Sequence, residues 1–547
     1  MLVRYRRLLV PWFSIGLAVV LANASKATAQ VPSAPSSEPV SAPQPVNPMP
    51  TLPSTISQPP AATPPAAVAT DPERTALEDR VRQLEAMVQQ LAGQIQQTGG
   101  VNPASPDTGN AATRVTPSGS GGPSAPGQSL PPNPSASKRF DVPATLDNKP
   151  ANVKFGPGFE IRTDDQEFIM QFHNLTQVDY RGYQQGGQNP VHDTFGIPRQ
   201  WFMFSGRLTK PVGYFVSLAH GFDAVSFLDV FADISYDPRL QMRVGRMKTP
   251  FTYEFLIEPI QGLINPERSV FFNNFGQNRD TGVMAFGRLF DGHVDYAGGV
   301  FNGIRNGTVS TQDGKAVSGL VNWKPFNKNE GSILENFNVG GSVFSVNASH
   351  AALPQTLRTA VPTAGNATIG VPFLAFNNNV RETGNQTFWD LHVAWFYQQL
   401  AVIGEWGSGV QDYSLTSSPQ QRTALPVQSF YVQSGYLLTG ETRSGTGIVK
   451  PLHPFNPKTG GLGAWELVTR YQYLDIGSQV FNSGLSDPNN GANRLYLTDL
   501  GFNWHMTQYV KVMFEWEHAG FNQPVLYAPG KRQLTSDMFL LRLQLYF

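Results

Sequence analysis

The last ten residues of the chain, Met538–Phe547, alternate between two kinds of side chain with the two-residue period of a β-strand. One face is apolar and holds Leu541, Leu543, Leu545 and Phe547. The other face is partly polar and holds Leu540, Arg542, Gln544 and Tyr546. Soluble domains rarely end on such a strand because their termini fray. A transmembrane β-barrel has to end this way, since its last strand pairs with its first and leaves no open edge in lipid. This ending therefore predicts a closed barrel.

Composition narrows the possible classes of protein. The chain has 547 residues, which is enough for a wide barrel with accessory segments. Lys plus Arg and Asp plus Glu are both 40, and the resulting net charge of zero argues against nucleic acid as a partner. Beyond the amino terminus, no run reaches the ~18 apolar residues of a spanning helix. The absence of cysteine excludes disulfides, thiolate metal sites and cysteine nucleophiles.

The first 29 residues have the three parts of a secretory signal peptide. Three arginines lie within the first seven residues, an apolar stretch follows from Leu8 to Leu21, and Ala27–Ala29 forms an A-x-A cleavage site before Gln30. The alternative is an uncleaved membrane anchor, but the apolar stretch is short and the cleavage site is well placed. We therefore predict export and cleavage, with the mature chain beginning at Gln30.

Residues 30–70 are rich in Pro, Ala and Ser and are predicted to form an extended linker. Residues 71–98 then carry apolar side chains at alternating spacings of four and three, namely Leu77, Val81, Leu84, Val88, Leu91 and Ile95. This heptad pattern predicts a short α-helical coiled coil, and about three heptads should need oligomerisation to be stable. The residue types favour a dimer, although a trimeric barrel would impose a trimer; the alternative is a single surface helix. A second linker, rich in Gly, Pro and Ser, covers residues 99–150.

Residues 151–547 consist of short period-two segments rich in Val and aromatic residues, which predict an all-β fold. We count about sixteen segments, an even number within the range of outer-membrane barrels. In two neighbouring segments, Asp229, Asp233 and Arg243 share the face opposite the apolar one, as in a barrel with a polar lumen. A soluble sandwich with its apolar face inward would show the same alternation.

The connections between these segments alternate between short and long through much of the chain. Short ones lie near residues 210, 237, 291, 398 and 506, and long ones cover 181–198, 248–279, 349–384 and 476–491. A very short connection near Val225 and a long one at Thr439–Leu462 break the pattern. Short periplasmic turns and long outer loops are typical of outer-membrane barrels. An even number of strands would place both ends of the barrel, and the coiled coil, in the periplasm.

Catalytic patterns do not stand out in the sequence. The nine histidines are scattered without an H-E-x-x-H motif, and no P-loop follows an apolar strand. We therefore predict that the protein is not an enzyme, and the sequence indicates neither a cofactor nor a metal site. An outer-membrane enzyme such as a lipase is the alternative to this prediction.

The long connection from Lys248 to Arg279 is the most informative one, because loops of this length usually serve a function. It is apolar for a solvent loop, with Phe251, Tyr253, Phe255, Leu256, Ile257, Ile260, Leu263, Phe271, Phe272 and Phe275. Folding into the barrel would bury these side chains and narrow the pore. Five bases lie in or beside this connection: Arg243, Arg246, Lys248, Arg268 and Arg279. In a narrow aqueous passage they would attract anions and bind phosphate or carboxylate. Alternatively, they pair with the carboxylates of Glu254, Glu258, Glu267 and Asp280.

Several short motifs in the same part of the chain resemble the phosphate-selective porin O and P family. They are Val244–Phe251, Glu267–Ser269, Arg279–Gly282, Phe301–Gly303, Leu438–Glu441, Ala464–Leu467 with Arg470–Tyr471, Gly501–Trp504 and the ending Arg542–Gln544 with Phe547. Each motif is short, but together they follow one order from about Phe155 to Phe547. The resemblance implies a sixteen-stranded, usually trimeric outer-membrane channel whose inward loops carry basic residues for anions.

We therefore expect a porin in the outer membrane for the passive diffusion of small solutes. A preference for anions, including phosphate, is a further expectation. The expected partners are outer-membrane lipid, small anionic or neutral solutes and two further copies of the chain in a homotrimer. The alternative is a structural envelope protein that uses the barrel as an anchor and the coiled coil to bind the cell wall or a partner. An open lumen would favour the porin, and a lumen filled by loops would favour the anchor.

Overall fold

The computed structural model describes residues 150–156, 158–184, 191–221, 224–310, 312–360 and 369–547. The predicted signal peptide, the first linker and the coiled coil lie outside the described residues, as does the second linker up to residue 149. Those assignments stay predictions. Among the described residues, no helix is long and apolar enough to cross a membrane.

The described residues form mostly β-strands. The strands are β1 (Ala151–Phe155), β2 (Phe159–Thr163), β3 (Ile169–Tyr183), β4 (Thr194–Thr209), β5 (Val212–Gly221), β6 (Ala224–Asp237), β7 (Leu240–Lys248), β8 (Arg279–Leu289), β9 (Val294–Phe301), β10 (Ala316–Trp323), β11 (Asn336–Ala351), β12 (Thr356–Arg358), β13 (Pro372–Ala375), β14 (Val380–Tyr397), β15 (Leu400–Leu415), β16 (Ser418–Leu437), β17 (Ala464–Ile476), β18 (Arg494–His505), β19 (Val510–Ala528) and β20 (Lys531–Tyr546). The helices are α1 (Tyr253–Leu256), α2 (Val270–Phe275) and α3 (Gln479–Asn482), with 3-10 turns at Ile260–Gly262 and Phe290–Gly292.

The last strand closes the sheet onto β3. Strands β20 and β3 pair antiparallel from Met538↔Tyr183 to Tyr546↔Leu175. The strands β3–β11 and β14–β20 therefore form a closed antiparallel barrel of sixteen strands. The prediction of a closed barrel from the chain ending is confirmed. Strands β1 and β2, which were not predicted as a separate element, form a hairpin that pairs with β3 beside the carboxyl terminus.

The barrel has its apolar side chains outside and its polar side chains inside. On β14, for example, Leu391 is 51% exposed whereas its neighbour Asp390 is 1% exposed. The ending of the chain follows the same rule, because Leu541 and Leu543 are exposed while Arg542 is fully buried. A soluble sandwich would show the opposite arrangement, so that alternative is excluded.

Aromatic side chains face outward at the end of the barrel that holds the carboxyl terminus, which we call the turn end. Outward-facing positions there carry Phe172, Trp323, Trp395, Trp465, Trp504 and Phe547. Some of these side chains contact each other: the ring centres of Trp465 and Trp504 lie 5.3 Å apart, and those of Phe172 and Phe547 lie 6.1 Å apart. Such a girdle is typical of a barrel surface at a membrane–water interface.

The connections agree with the predicted alternation in most places. The five short turns lie at the turn end, and the four long connections lie at the opposite end, which we call the loop end. Two long connections at the turn end, 324–335 and 438–463, depart from the pattern; the second of them was predicted. At the loop end, β5 and β6 pair up to Gly221↔Ala224, and this short connection was predicted. The tight hairpins at 416–417 and 529–530 were not predicted. Within the connection 352–379, strands β12 and β13 form a separate small hairpin.

Candidate pore constriction

The connection between β7 and β8, residues 249–278, lies inside the barrel, and we call it the inward segment. Its contacts reach strands on several sides of the lumen. Thr252 N donates to Ser342 Oγ of β11 at 3.0 Å, Val270 N donates to Gln472 Oε1 of β17 at 2.8 Å, and Asn265 Nδ2 donates to Glu515 of β19 at 2.7 Å. The segment therefore crosses the lumen, as its apolar composition predicted.

Aromatic side chains attach the inward segment to the wall. The Phe251 ring lies 6.1 Å from Phe344, and the Phe271 ring lies 6.0 Å from Phe388 in an edge-on contact. A Cβ atom at Gly407 would come within 2.3 Å of the Phe271 ring. A glycine at this position of β15 therefore lets the segment approach the wall closely, and a larger residue would displace it.

Helix α1 is held at its amino-terminal end by a carboxylate of the barrel wall. Tyr253 N and Glu254 N donate to the two carboxylate oxygens of Glu405 at 2.7 and 2.9 Å. The hydroxyl of Tyr431 donates to the same carboxylate at 2.5 Å. The first N–H groups of a helix have no partner within the helix, and a negative charge is the most favourable acceptor for them. The sequence analysis did not identify Glu405.

The opposite end of α1 is held by two of the predicted bases. Lys248 Nζ donates to Phe255 O at 2.8 Å, and Arg268 Nε donates to Glu254 O at 3.1 Å. Arg268 also donates to Glu258 O at 3.3 Å. Cationic side chains are favourable donors to the last carbonyl groups of a helix, which have no partner within the helix. These bonds are made to backbone oxygens and not to the carboxylates that the sequence analysis weighed as partners.

Three of the five predicted bases converge on one aromatic ring. The charged groups of Lys248, Arg268 and Arg279 lie 5.1, 5.2 and 5.6 Å from the centre of the buried Phe255 ring. Aromatic faces attract cations, so the ring offsets part of the repulsion between them. Arg279 is further paired with Asp229 at 3.0 Å.

The other two predicted bases lie apart from this ring. Arg243 forms a forked ion pair with Asp233, at 2.7 and 2.9 Å, and stacks 3.8 Å from the Phe231 ring. Arg246 donates to Leu228 O at 3.0 Å and to Gly307 O, so it joins β6 to the connection after β9. The structure therefore brings Lys248, Arg268 and Arg279 together and places Arg243 and Arg246 elsewhere.

A second cluster of arginines, not found from the sequence, surrounds Glu267 of the inward segment. Arg199 contacts its carboxylate at 2.6 Å, Arg181 at 2.8 Å and Arg542 at 2.6 Å. Asp179 pairs with both Arg181 and Arg542. All of these side chains are buried. The alternation of the closing strand already placed Arg542 on the inner face, but its neighbours come from β3 and β4, which are distant in sequence.

The long connection at the turn end, residues 438–463, also contacts the inward segment. Arg443 pairs with Glu466 of β17 at 2.8 Å, and Thr446 Oγ1 donates to Ile257 O at 3.4 Å. A Cβ atom at Gly262 would lie 2.2 Å from Thr446 O, so the two backbones are in close contact. Two connections from opposite ends of the barrel therefore meet within it. Among the described residues, no group of three or more His, Asp or Glu side chains could hold a metal ion.

Comparison with known proteins assigns the family. The model of the phosphate-selective porin O and P family matches residues 172–547, which is more than half of the chain. Porin O of Pseudomonas aeruginosa is 21% identical over 414 residues, covering 69% of this chain and 89% of that protein. Among solved structures, Salmonella typhi OmpF is 10% identical with a TM-score of 0.44, covering 72% of this chain and 100% of that one. The anion-selective porin from Comamonas acidovorans is 10% identical with a TM-score of 0.41, covering 69% and 99%. The chain therefore belongs to the phosphate-selective porin O and P family, and it is an outer-membrane β-barrel porin and not an enzyme.

Proposed function

We propose that this porin lets small solutes diffuse passively across the outer membrane with a preference for anions, phosphate among them. The observation that carries the proposal is the convergence of Lys248, Arg268 and Arg279 on the inward segment. A cluster of cations in a narrow passage concentrates anions, because low-dielectric walls focus the electric field.

The partners of the five bases support a positive field. Carboxylates pair with Arg243 and Arg279. The hydrogen bonds described for Arg246, Lys248 and Arg268 go to backbone oxygens. A backbone carbonyl fixes the position of a cation without cancelling its charge. These three bases therefore contribute more to anion preference than the two that are paired.

The test is the reversal potential of single channels in a salt gradient, comparing the parent protein with the double variant Arg246→Gln/Lys248→Met. We expect the anion preference to fall, because each unit charge near the passage is worth about 1 kcal/mol, or roughly fivefold in ion partition. The difference should shrink as salt rises, since the Debye length falls from about 10 Å at 0.1 M to about 3 Å at 1 M.

The matched control is Arg239→Gln, which removes a base at the exposed rim of the turn end, where Arg239 pairs with Asp237. It should leave the reversal potential unchanged. Reversal potential is preferred over conductance because a displaced inward segment would also change conductance. If the double variant keeps the parent's ion preference, these bases only hold the segment in place and the proposed anion preference is wrong.

A structural role in the envelope is the second candidate function. It is favoured by the meeting of the inward segment with residues 438–463 inside the barrel, through Thr446 and Ile257. In that role the barrel would anchor the chain, and the coiled coil, which lies outside the described residues, would bind the cell wall. Purified protein that inserts into bilayers without giving channels would support this role and contradict the porin.

We further propose that the mature chain begins at Gln30 and forms a homotrimer, with its coiled coil in the periplasm. The trimer is suggested by the family, and the cleavage site by the A-x-A pattern. Amino-terminal sequencing and sedimentation of protein extracted from outer membranes would test both. Recovery of an intact Met1, or of a monomer, would contradict the respective proposal.

A further inference from the structure

A cavity of about 500 Å³ lies between the inward segment and the inner wall of β7–β10, near the turn end. Its lining is mostly apolar and includes Leu256, Ile257, Met284, Phe286, Ala297 and Leu320. The charged side chains of the lining are Arg243, Arg288 and Asp295. Cavities of this size hold small organic molecules, and their few polar groups decide which ones bind.

Arg243 is positioned to bind a second anion. Its Nε and Nη2 atoms donate to Asp233, and its charged group lies 4.9 Å from the Phe286 ring in addition to the stacked Phe231. A guanidinium group has five N–H donors, so three are left beyond the two that bind Asp233. The side chain is 22% exposed, which leaves these donors accessible from the cavity.

Arg288 supplies a second guanidinium group at the same wall. Its side chain is 74% exposed and lies 3.5 Å from Asp295. The Asp295 carboxylate is held more closely by Lys324, at 2.7 Å. Arg288 is therefore free to turn towards a bound molecule, because Lys324 already compensates the carboxylate. The cavity lining thus presents two guanidinium groups and one carboxylate.

An apolar wall beside guanidinium groups favours one class of solute. A strongly hydrated inorganic anion would gain the ionic contacts but would make no use of the apolar side chains. An organic carboxylate with an aromatic or aliphatic body would bury that body against Leu256, Ile257 and Phe286 and place its carboxylate against the arginines. We propose that this cavity binds amphipathic organic anions of about the size of benzoate during their passage.

This proposal rests on the proposed channel function, and it names a solute class for it. Residues 438–463 contact the inward segment at the backbone oxygen of Ile257 and at Gly262, and the cavity, which Ile257 also lines, lies on the side of β7–β10. A solute that passes along β7–β10 would therefore meet the cavity. Binding there would slow the flow of other ions.

The test measures how added solutes reduce the chloride current of the full-length protein in bilayers. Benzoate should reduce the current at concentrations about tenfold lower than either acetate, which lacks the apolar body, or inorganic phosphate. Benzyl alcohol, which lacks the charge, should have little effect. If benzoate is no more effective than acetate or phosphate while the chloride current is normal, the cavity proposal is wrong and the channel function stands. If the parent protein gives no chloride current, both are wrong.

Two variants locate the effect in the cavity. Ile257→Asn changes the apolar wall on the inward segment without altering a strand, and it should weaken inhibition by benzoate about tenfold but leave that by acetate unchanged. The double variant Arg243→Gln/Asp233→Asn removes the ion pair without changing the net charge, and it should weaken inhibition by both carboxylates. Its matched control, Arg239→Gln/Asp237→Asn, removes an exposed pair at the rim and should behave like the parent. Full benzoate inhibition in both cavity variants, with chloride current retained, would overturn the proposal.

Discussion

The inward segment is attached to the barrel in two regions by different chemistry. At Glu267, side chains form ion pairs, with Arg181, Arg199 and Arg542 around one carboxylate. At α1, charged side chains bind the backbone, with Glu405 at the amino-terminal N–H groups and Lys248 and Arg268 at the carbonyl groups of the other end.

The two regions differ in whether their positive charges are in contact with negative ones. In the Glu267 cluster, positive and negative charges lie in direct contact, so most of the field is cancelled within the cluster. At α1, Lys248 and Arg268 donate to neutral carbonyl groups and not to carboxylates. The Glu267 cluster also joins β3 and β20, the strands where the barrel closes. We infer that the first region mainly stabilises the closed barrel and that the second mainly acts on the solute.

The largest effect is expected from Glu267→Gln. The variant would leave three buried guanidinium groups beside the single carboxylate of Asp179. Removing one partner of a buried ion pair typically costs about 3–5 kcal/mol. Urea unfolding of protein inserted in lipid vesicles, followed by tryptophan fluorescence, would measure this loss. Asp237→Asn, in the exposed pair with Arg239, is the matched control and should unfold like the parent. Equal stability of the two variants would contradict the assigned role of the cluster.

A smaller and more local effect is expected from Glu405→Ala. The variant removes the acceptor of Tyr253 N, Glu254 N and the Tyr431 hydroxyl. Leaving buried donors unpaired costs about 1–3 kcal/mol each, so roughly 3 kcal/mol is expected after partial relaxation. Hydrogen–deuterium exchange should rise in the peptide that contains α1. Exchange that rises equally in the Glu267 region would show that the two attachments are not separate.

The smallest effect on stability is expected from Arg268→Lys. This variant separates the effect of the positive charge at residue 268 from that of its hydrogen-bond geometry. Lysine keeps the charge but replaces the planar fork that donates to Glu254 O and Glu258 O. Loss of one of these bonds should cost about 1 kcal/mol in urea unfolding. The reversal potential should stay that of the parent, because the charge is retained. A shift as large as that expected for Arg246→Gln/Lys248→Met would show that geometry, and not charge, sets the ion preference.

Much of the barrel was predictable because period-two alternation is a local property. The alternation at Leu541 and Arg542 correctly predicted the outer and inner faces of the closing strand, and Asp233 and Arg243 were correctly placed on one face. The inward segment was predictable from its apolar composition. The hairpin β1–β2, the tight hairpins at 416–417 and 529–530 and the short helices were missed, because turns and single helical turns carry weak sequence signals.

The candidate site was only partly predictable, because its contacts join residues that are far apart in the chain. Lys248, Arg268 and Arg279 were recognised since they lie in or beside one connection. Glu405, Arg181 and Arg199 were missed because nothing in their local sequence distinguishes them from other polar positions of the inner wall. Only the closure of the barrel brings them to the segment.

The sequence by itself determined the class of fold and which face of each strand meets lipid, because an apolar surface must be presented at every second residue of every strand. The tertiary structure alone decided which bases pair with carboxylates and which bind backbone oxygens. That outcome depends on the atom nearest to each base: a carboxylate for Arg243 and a backbone oxygen for Lys248. These partners are set by strand register and by the path of the inward segment, which no local pattern records.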